Sequence, residues 1–206
     1  KQGIVDAEAV AKKLAQTLNI KDNYTIVAST GVIGMPLPVD TINSGIEMAK
    51  GVLKPLEEGA ESASRGIMTT DTVPKTAQVT VKIDGKTVNF WGMCKGAGMI
   101  HPNMSTMLGF VLCDAAITTE VLQKALSSAI GDSFNMISVD GDTSTNDMVT
   151  VLANGLAENE TIASENNDSY TIFANALKDV CISLAKQIVA DGEGATKLFS
   201  VKVTNA

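Results

Sequence analysis

Apolar side chains recur every three or four positions in several parts of the chain, which is the spacing of an amphipathic helix. In the first such part, residues 3–18, Val10, Leu14 and Leu18 fall on one face. Similar stretches follow further along the chain. We expect helices over residues 3–18, 41–52, 119–130, 146–157 and 167–190.

Alternating apolar and polar positions predict strands in other parts of the chain. The clearest case is "QVTVKIDGKTVNFWG", where two alternating runs flank Asp84-Gly85, a dipeptide favoured in type I′ hairpin turns. Further strands are expected in "YTIVAS" (24–29), "TMLGFVLCDA" (106–115), "FNMISVDG" (134–141) and "KLFSVKV" (197–203). Hairpins mixed with helices favour a layered α+β or α/β sandwich over an all-α fold.

Composition narrows the classes of function. The 206 residues are 45% hydrophobic, which is typical of a globular chain of one large or two small domains. The net charge is −7 and Arg65 is the single arginine, so neither nucleic acid nor a membrane surface is an expected partner. No apolar run is long enough to cross a membrane, and no signal peptide opens the sequence. Because residue 1 is lysine, we expect a trimmed or processed N terminus.

The cysteines point to a reducing compartment. Cys94, Cys113 and Cys181 are odd in number and lack metal-ligand spacing. We therefore expect buried thiols and no metal.

Two glycine- or aspartate-rich segments invite ligand-binding interpretations. "STGVIG" (29–34) lacks the third glycine of a dinucleotide fingerprint and the Lys-Ser/Thr pair of a P-loop, so it is either a tight turn or a set of exposed N–H groups for an oxyanion. "VDGDTSTND" carries Asp140, Asp142 and Asp147, but Thr145 occupies the position where a calcium loop needs glycine. Capping and turn chemistry is the favoured interpretation there.

The stretch "KGAGMIHPNMSTML" (95–108) is glycine-rich, methionine-rich and nearly uncharged, although it leads directly into a predicted strand. Lys95 either reaches water or pairs with a substrate carboxylate. His101, the single histidine, is either a general base or a loop residue that bonds to backbone. Glu193 is a surface charge or a carboxylate presented to an amine. Thr106 can become a nucleophile if cleavage after Ser105 frees its α-amine to act as base.

Five ordered motifs make the chain resemble the ornithine acetyltransferase (glutamate N-acetyltransferase) family of arginine biosynthesis. They are "ASTGVIGMPLP", "IMTTDTVPK", "KGAGMIHPNMSTML", "SFNMISVDGDTSTND" and "KQIVADGEGATK". The resemblance implies an αββα-type sandwich similar to that of self-processing N-terminal-nucleophile enzymes. It also implies self-cleavage between Ser105 and Thr106. Residues 1–105 would then end an α chain and residues 106–206 begin a β chain, as the central portion of a longer protein.

The resemblance assigns roles residue by residue. Thr106 is the nucleophile, and Thr30 and Gly31 form the oxyanion hole. Substrate contacts are Thr69, Lys95, Thr106 and Glu193. The family commonly has alanine before the nucleophile, where this chain has Ser105, so the rate of processing is expected to differ.

The implied reaction is ping-pong transfer of acetyl from N-acetylornithine to glutamate, without a cofactor, although acetyl-CoA is an alternative donor in the family. An α2β2 assembly in the cytoplasm is expected. Relatives of twice this length imply that further substrate contacts lie outside these residues, and they leave open whether the shortened chain is active or inactive by itself. Two other hypotheses stay open: a threonine amidohydrolase or aminopeptidase, and a non-catalytic binding module that keeps the fold.

Overall fold

The computed structural model describes residues 2–32, 34–101 and 107–204. The chain forms two compact units, residues 1–62 and 63–206, which we call unit 1 and unit 2. The helix α3 (Leu56–Gly66) spans the boundary between them.

Unit 1 is helical in its described residues. Helix α1 (Gln2–Leu18) packs against α2 (Val39–Gly51), and a short 3-10 helix (Asp22–Tyr24) lies between them in the chain. The Lys13 ammonium pairs with the Glu47 carboxylate across the two helices. Helix α1 stops where Asn19 adopts a left-handed φ of 56°, a conformation that asparagine tolerates better than most residues at a helix end.

Unit 2 is built on a four-stranded sheet with the order β1-β2-β3-β4. Strands β1 (Lys75–Ile83) and β2 (Lys86–Lys95) form the predicted hairpin, with positive φ at both Asp84 and Gly85. Strand β3 (Leu108–Cys113) is antiparallel to β2, and β4 (Met148–Ala153) is parallel to β3.

Helices α4 (Thr119–Gly131) and α5 (Asp168–Ala190) complete the core of unit 2. Asn167 caps α5 by accepting the Tyr170 N–H at 2.7 Å. The inward face of β2 packs against α5, and Gly92 leaves the room for this contact. A Cβ on Gly92 would lie 2.8 Å from Val180 Cγ1 and 3.0 Å from Leu184 Cδ1. The buried core draws on both helices, on β1, β2 and β3 and on residues that border them, and partly buried residues of β4 pack against it.

Most of the predicted elements are confirmed. The α+β class is correct, and within the described residues the layered sandwich is represented by one sheet and its helices. The expected helices over 3–18, 41–52, 119–130 and 167–190 are present, as are the hairpin and the strand within 106–115. All three cysteines are free and buried, as expected.

Several local predictions are wrong. Residues 24–29 form no strand, because the described part of unit 1 offers no strand for them to pair with. Residues 134–141 hold a 3-10 helix (Phe134–Met136) followed by a loop. Residues 146–157, predicted as helix, contain β4, whose partner β3 lies far away in sequence. Residues 197–203 form no ladder, and helix α3 was not predicted.

Candidate functional site

The glycine-rich segment 96–101 leaves the end of β2 and is held by two carboxylates. Asp71 Oδ1 accepts the Gly96 N–H at 2.7 Å. Asp140 Oδ1 accepts the Ile100 N–H at 2.9 Å, and its other oxygen accepts the Met99 N–H. Met99 has a left-handed φ of 55°, which is uncommon for a residue with a side chain, so Asp140 stabilises a strained position.

Asp140 therefore has the turn-forming role that the sequence favoured over calcium binding. Its carboxylate also accepts the Asp142 N–H at 3.1 Å. Burial raises the pKa of Asp140, but the hydrogen bonds from the Asp142, Met99 and Ile100 amides outweigh it and hold the pKa below its ordinary value. Among the described residues, no three His, Cys, Asp or Glu side chains cluster so as to hold a metal ion.

Lys95 lies at the end of β2 and is buried, with 3% of its surface exposed. Its ammonium is 3.5 Å from the Thr69 hydroxyl oxygen, so the structure brings together two of the predicted substrate contacts. Burial lowers the pKa of Lys95, while the negative charges of Asp71 and Asp147 oppose that shift. Among the described residues the Thr69 hydroxyl is the hydrogen-bond partner of this buried ammonium. The ammonium is therefore suited to pair with an anionic group of a ligand.

Glu193 lies beside the same glycine-rich segment. Its N–H donates to the Ala97 carbonyl at 2.7 Å, which fixes the loop after α5 against residues 96–98. Its carboxylate lies over Gly98, because a Cβ added there would be 2.9 Å from Glu193 Cδ. Glu193 is exposed, so a ligand can reach it. Lys95 and Glu193 therefore place opposite charges next to the same glycine-rich segment, residues 96–101.

A buried ion-pair cluster supports this arrangement. Lys75 is fully buried, and its ammonium lies 2.6 Å from both Asp71 Oδ1 and Asp191 Oδ2. Asp71 Oδ2 accepts the Thr69 N–H at 3.1 Å, and Asp191 Oδ2 accepts the Thr72 N–H at 2.9 Å. The cluster ties the loop before β1 to the end of α5, so it fixes Thr69 and the start of the glycine-rich segment.

The sequence carries a signal for this cluster in the alternating pattern of β1. In "KTAQVTVKI" every second residue faces the core, and Lys75 belongs to that inward set together with Val79 and Ile83. A lysine on an inward face requires carboxylate partners. Burial raises the pKa of Asp71, but the Gly96 N–H and the Lys75 ammonium outweigh it and leave the pKa below its ordinary value.

A third carboxylate, that of Asp147, holds the backbone immediately after residues 102–106. Asp147 Oδ1 accepts the Met107 N–H at 2.7 Å, at the entry to β3. Burial raises the pKa of Asp147 to about 6, against the opposing effects of that hydrogen bond and of the Lys95 charge. The exposed His101 ring lies 3.4 Å from the Ser138 hydroxyl.

Two further groups of predicted residues have roles that the described geometry does not test. Ser105 and Thr106, the expected cleavage site and nucleophile, lie outside the described residues. Thr30 and Gly31 belong to unit 1, in the irregular stretch before α2, where Thr30 is half-buried and Gly31 is exposed. Their roles stay predictions.

Comparison with known proteins decides the family. The ArgJ family model matches residues 1–206. The chain belongs to the ArgJ family. The resemblance drawn from the five motifs is thereby confirmed over the whole chain.

ArgJ relatives are similar along all of these residues. The arginine biosynthesis bifunctional protein ArgJ of Symbiobacterium thermophilum is 54% identical over 205 residues, and that of Caldanaerobacter subterraneus subsp. tengcongensis is 48% identical over 205 residues. The chain spans about half the length of these relatives, 50% of each. A crystal structure of ArgJ from Bacillus halodurans is 56% identical and covers 43% of this chain and 41% of its own, with a TM-score of 0.41. None of the described helices is long and apolar enough to cross a membrane.

Proposed function

We propose that this chain forms the central part of a glutamate N-acetyltransferase, which moves the acetyl group of N-acetylornithine to glutamate. The acetyl group is carried by Thr106 after cleavage of the Ser105–Thr106 bond. Membership of the ArgJ family supports this function, because the curated relatives are named as arginine biosynthesis proteins.

One observation carries the proposal: Lys95 and Glu193 place opposite charges on either side of the short segment that leads to Thr106. Amino-acid substrates carry both a carboxylate and an ammonium group. The buried Lys95 holds the substrate carboxylate with help from the Thr69 hydroxyl, which is 3.5 Å from the ammonium. Glu193 pairs with the amine of ornithine. Charge-assisted bonds of this kind are stronger than neutral ones and orient the substrate.

The chemistry proceeds in two balanced steps. The Thr106 oxygen attacks the acetyl carbonyl of N-acetylornithine, while the hydroxyl proton passes to the threonine α-amine. The amide C–N bond breaks, and the same proton goes to the departing ornithine amine. The neutral amine of glutamate then attacks the acetyl ester and gives up one proton to the threonine α-amine. The ester C–O bond breaks, and that proton passes to the Thr106 oxygen and restores the hydroxyl. In both steps the N–H groups of Thr30 and Gly31 stabilise the oxyanion.

The anchoring of the segment supports self-cleavage at Ser105–Thr106. Asp71 and Asp140 hold the backbone before residues 102–106, and Asp147 holds it immediately after. In self-cleavage the Thr106 hydroxyl attacks the peptide bond that precedes it. The backbone on both sides of that bond has to be fixed, because a misaligned attack slows the reaction.

We propose no cofactor for this reaction, with acetyl-CoA as an alternative acetyl donor. The cleaved α and β chains remain together in an α2β2 assembly in the cytoplasm. These features follow from the family resemblance.

Incubation of the full-length protein with N-acetylornithine, with and without glutamate, tests the proposed function. We expect N-acetylglutamate to form, and ornithine to accumulate beyond one equivalent of the enzyme, only when glutamate is present. Release of free acetate without glutamate would instead indicate an amidohydrolase. A Thr106→Ala protein should remain uncut and inactive. Transfer by that variant would refute the mechanism, and a wild-type chain that neither splits nor becomes acetylated would indicate a binding module.

A further inference from the structure

Four non-covalent contacts close a ring of residues beside the candidate site. Two of them are the ion pairs in which the Lys75 ammonium lies 2.6 Å from Asp71 Oδ1 and 2.6 Å from Asp191 Oδ2. The third is the hydrogen bond from the Gly96 N–H to Asp71 Oδ1, at 2.7 Å. In the fourth, the Glu193 N–H donates at 2.7 Å to the carbonyl of the residue after Gly96. We call this closed path the support ring, and its members in order are Lys75, Asp71, Gly96, Ala97, Glu193, Gly192 and Asp191.

Three of the predicted substrate contacts are attached to the support ring. Lys95 directly precedes the ring member Gly96 in the chain. Thr69 donates its N–H to the second oxygen of Asp71 at 3.1 Å. Glu193 is itself a member. The ring therefore connects the group proposed to hold the substrate carboxylate with the group proposed to hold its amine.

The contacts of Lys75 lie in the part of the ring that solvent hardly reaches. The side chains of Lys75 and Asp71 are fully buried, and 8% of the Asp191 side chain is exposed. Thr72 adds two hydrogen bonds to the Asp191 carboxylate, from its N–H at 2.9 Å and from its hydroxyl. Networks of charge-assisted hydrogen bonds in the interior make the surrounding structure rigid. Lys75 thus holds the Asp71 half and the Asp191 half of the ring at a fixed distance from each other.

We propose that Lys75 is a positioning residue that fixes the separation between Lys95 and Glu193, and that this separation selects the chain length of the acetylated diamino acid. The inference rests on the proposed function, in which Lys95 holds the carboxylate of N-acetylornithine and Glu193 holds its amine. In that molecule the α-nitrogen is an amide, so the free ammonium lies at the end of a side chain of three methylene groups. A ring of fixed size therefore suits one distance between the two charges of the substrate.

A longer substrate measures how strictly the ring selects. One further methylene group extends the side chain by about 1.5 Å of bond length. A misplacement of about 1 Å can cost roughly a hundredfold in rate, and one methylene group in a close-fitting pocket is worth about 10- to 200-fold in kcat/KM. The wild-type protein should therefore prefer N-acetylornithine to Nα-acetyllysine, which has one more methylene group, by a factor in that range.

The test compares the ratio of the kcat/KM values for these two donors in full-length wild-type protein, in Asp191→Asn and in Asp132→Asn. Asparagine at position 191 removes the charge at one side of Lys75 but leaves Lys75 paired with Asp71, so the fold should be kept. Asp132 is the matched control. Like Asp191 it directly follows a helix and pairs with a lysine, since Asp132 Oδ2 lies 2.6 Å from the Lys178 ammonium, but it is not a member of the support ring.

A loosened ring should accept the longer chain at a smaller cost. We expect the preference for N-acetylornithine to shrink about fivefold in Asp191→Asn and to keep its wild-type value in Asp132→Asn. A purely structural role of the ion pair would lower the amount of active protein and leave the ratio unchanged. An unchanged ratio in Asp191→Asn, an equal change in Asp132→Asn, or a wild-type protein without any preference overturns the proposal.

A second comparison covers the case in which Asp191→Asn does not fold. Asp191→Glu retains the charge that pairs with Lys75 but adds one methylene group to the support ring, so its preference should also shrink. Calorimetric titration of each protein with the two donors, without glutamate, gives the same comparison as a ratio of dissociation constants. A ratio that is equal in wild type and in the folded variants overturns the positioning role. Failure of the proposed function has a different signature, because the wild type would then bind both donors with the expected preference but form no N-acetylglutamate.

Discussion

Replacing Lys75 with methionine tests the buried cluster that supports the candidate site. Lys75 is fully buried, with Asp71 and Asp191 each 2.6 Å from its ammonium. Methionine keeps most of the side-chain volume but leaves both carboxylates without a cation. Loss of one partner from a buried ion pair costs about 3–5 kcal/mol, because uncompensated charge remains in the interior.

The structure places the expected loss near the lower end of that range. Asp71 keeps hydrogen bonds from the Thr69 and Gly96 amides, and Asp191 keeps the Thr72 N–H. We therefore expect Lys75→Met to lower the free energy of unfolding by about 3 kcal/mol. The assay is urea unfolding of the full-length protein, with the slope of the transition checked for a change in the unfolded state.

The control is Lys82→Met, on the exposed face of the same strand. Lys82 is exposed, so this variant should stay within about 0.5 kcal/mol of wild type. A triple variant that also carries Asp71→Asn and Asp191→Asn should recover part of the loss, because no buried charge is left unpaired. A Lys75→Met midpoint equal to that of Lys82→Met would refute the reasoning.

The same cluster predicts a pH dependence. Burial raises the pKa of Asp191, but the Lys75 and Thr72 hydrogen bonds outweigh it, and the pKa values of both Asp71 and Asp191 lie below their ordinary range. Groups with a lowered folded-state pKa stabilise the fold above their unfolded-state pKa of about 4 and lose that contribution as the pH falls through the folded value. Without the Lys75 ammonium the folded-state pKa values of Asp71 and Asp191 should rise, so Lys75→Met should lose less stability than wild type as the pH falls, as urea midpoints between pH 3 and 6 would show.

The remaining predictions concern two glycines. Gly98→Ala should raise the KM for N-acetylornithine about tenfold, because the new Cβ would lie 2.9 Å from Glu193 Cδ and displace the carboxylate. Steady-state kinetics measure this, with Gly131→Ala as the control, since its Cβ would meet nothing within 4 Å. Gly92→Ala should destabilise the protein by about 1–3 kcal/mol in thermal unfolding, because its Cβ would lie 3.0 Å from Leu184 Cδ1. An unchanged KM or an unchanged melting temperature, respectively, would contradict these expectations.

Elements specified by local chemistry could be predicted from the sequence. The hairpin followed from Asp84-Gly85, because both residues adopt the positive φ that a type I′ turn requires. Helix α5 followed from its periodicity, and Asn167 caps it as the residue type allows.

Elements that depend on distant partners could not be predicted in the same way. Strand β4 is the edge of the sheet and is specified by its parallel pairing with β3, which no local window contains. The stretch 24–29 has the composition of a strand, but a strand needs a neighbour for its backbone hydrogen bonds. Predictions from residue type alone were therefore wrong for residues 24–29 and for residues 146–157.

The residues of the candidate site likewise include some that could be predicted from the sequence and others that could not. Lys95 and Glu193 were recognisable from their motifs, and the structure adds the Thr69 hydroxyl next to Lys95 and the position of Glu193 over Gly98. Turn and capping roles were predicted for Asp140 and Asp147, but the sequence did not indicate which backbone groups they hold, and Asp71 was not singled out. Their bonds join residues far apart in sequence, such as the 40-residue separation between Ile100 and Asp140.

Intact mass spectrometry of the full-length protein, before and after incubation with N-acetylornithine, tests the central claim most directly. We expect two chains divided between Ser105 and Thr106, and the chain that begins with Thr106 should gain the mass of one acetyl group and lose it again when glutamate is added. A protein that transfers acetyl groups while it remains a single chain, or while its Thr106 chain never carries the acetyl group, would contradict the account.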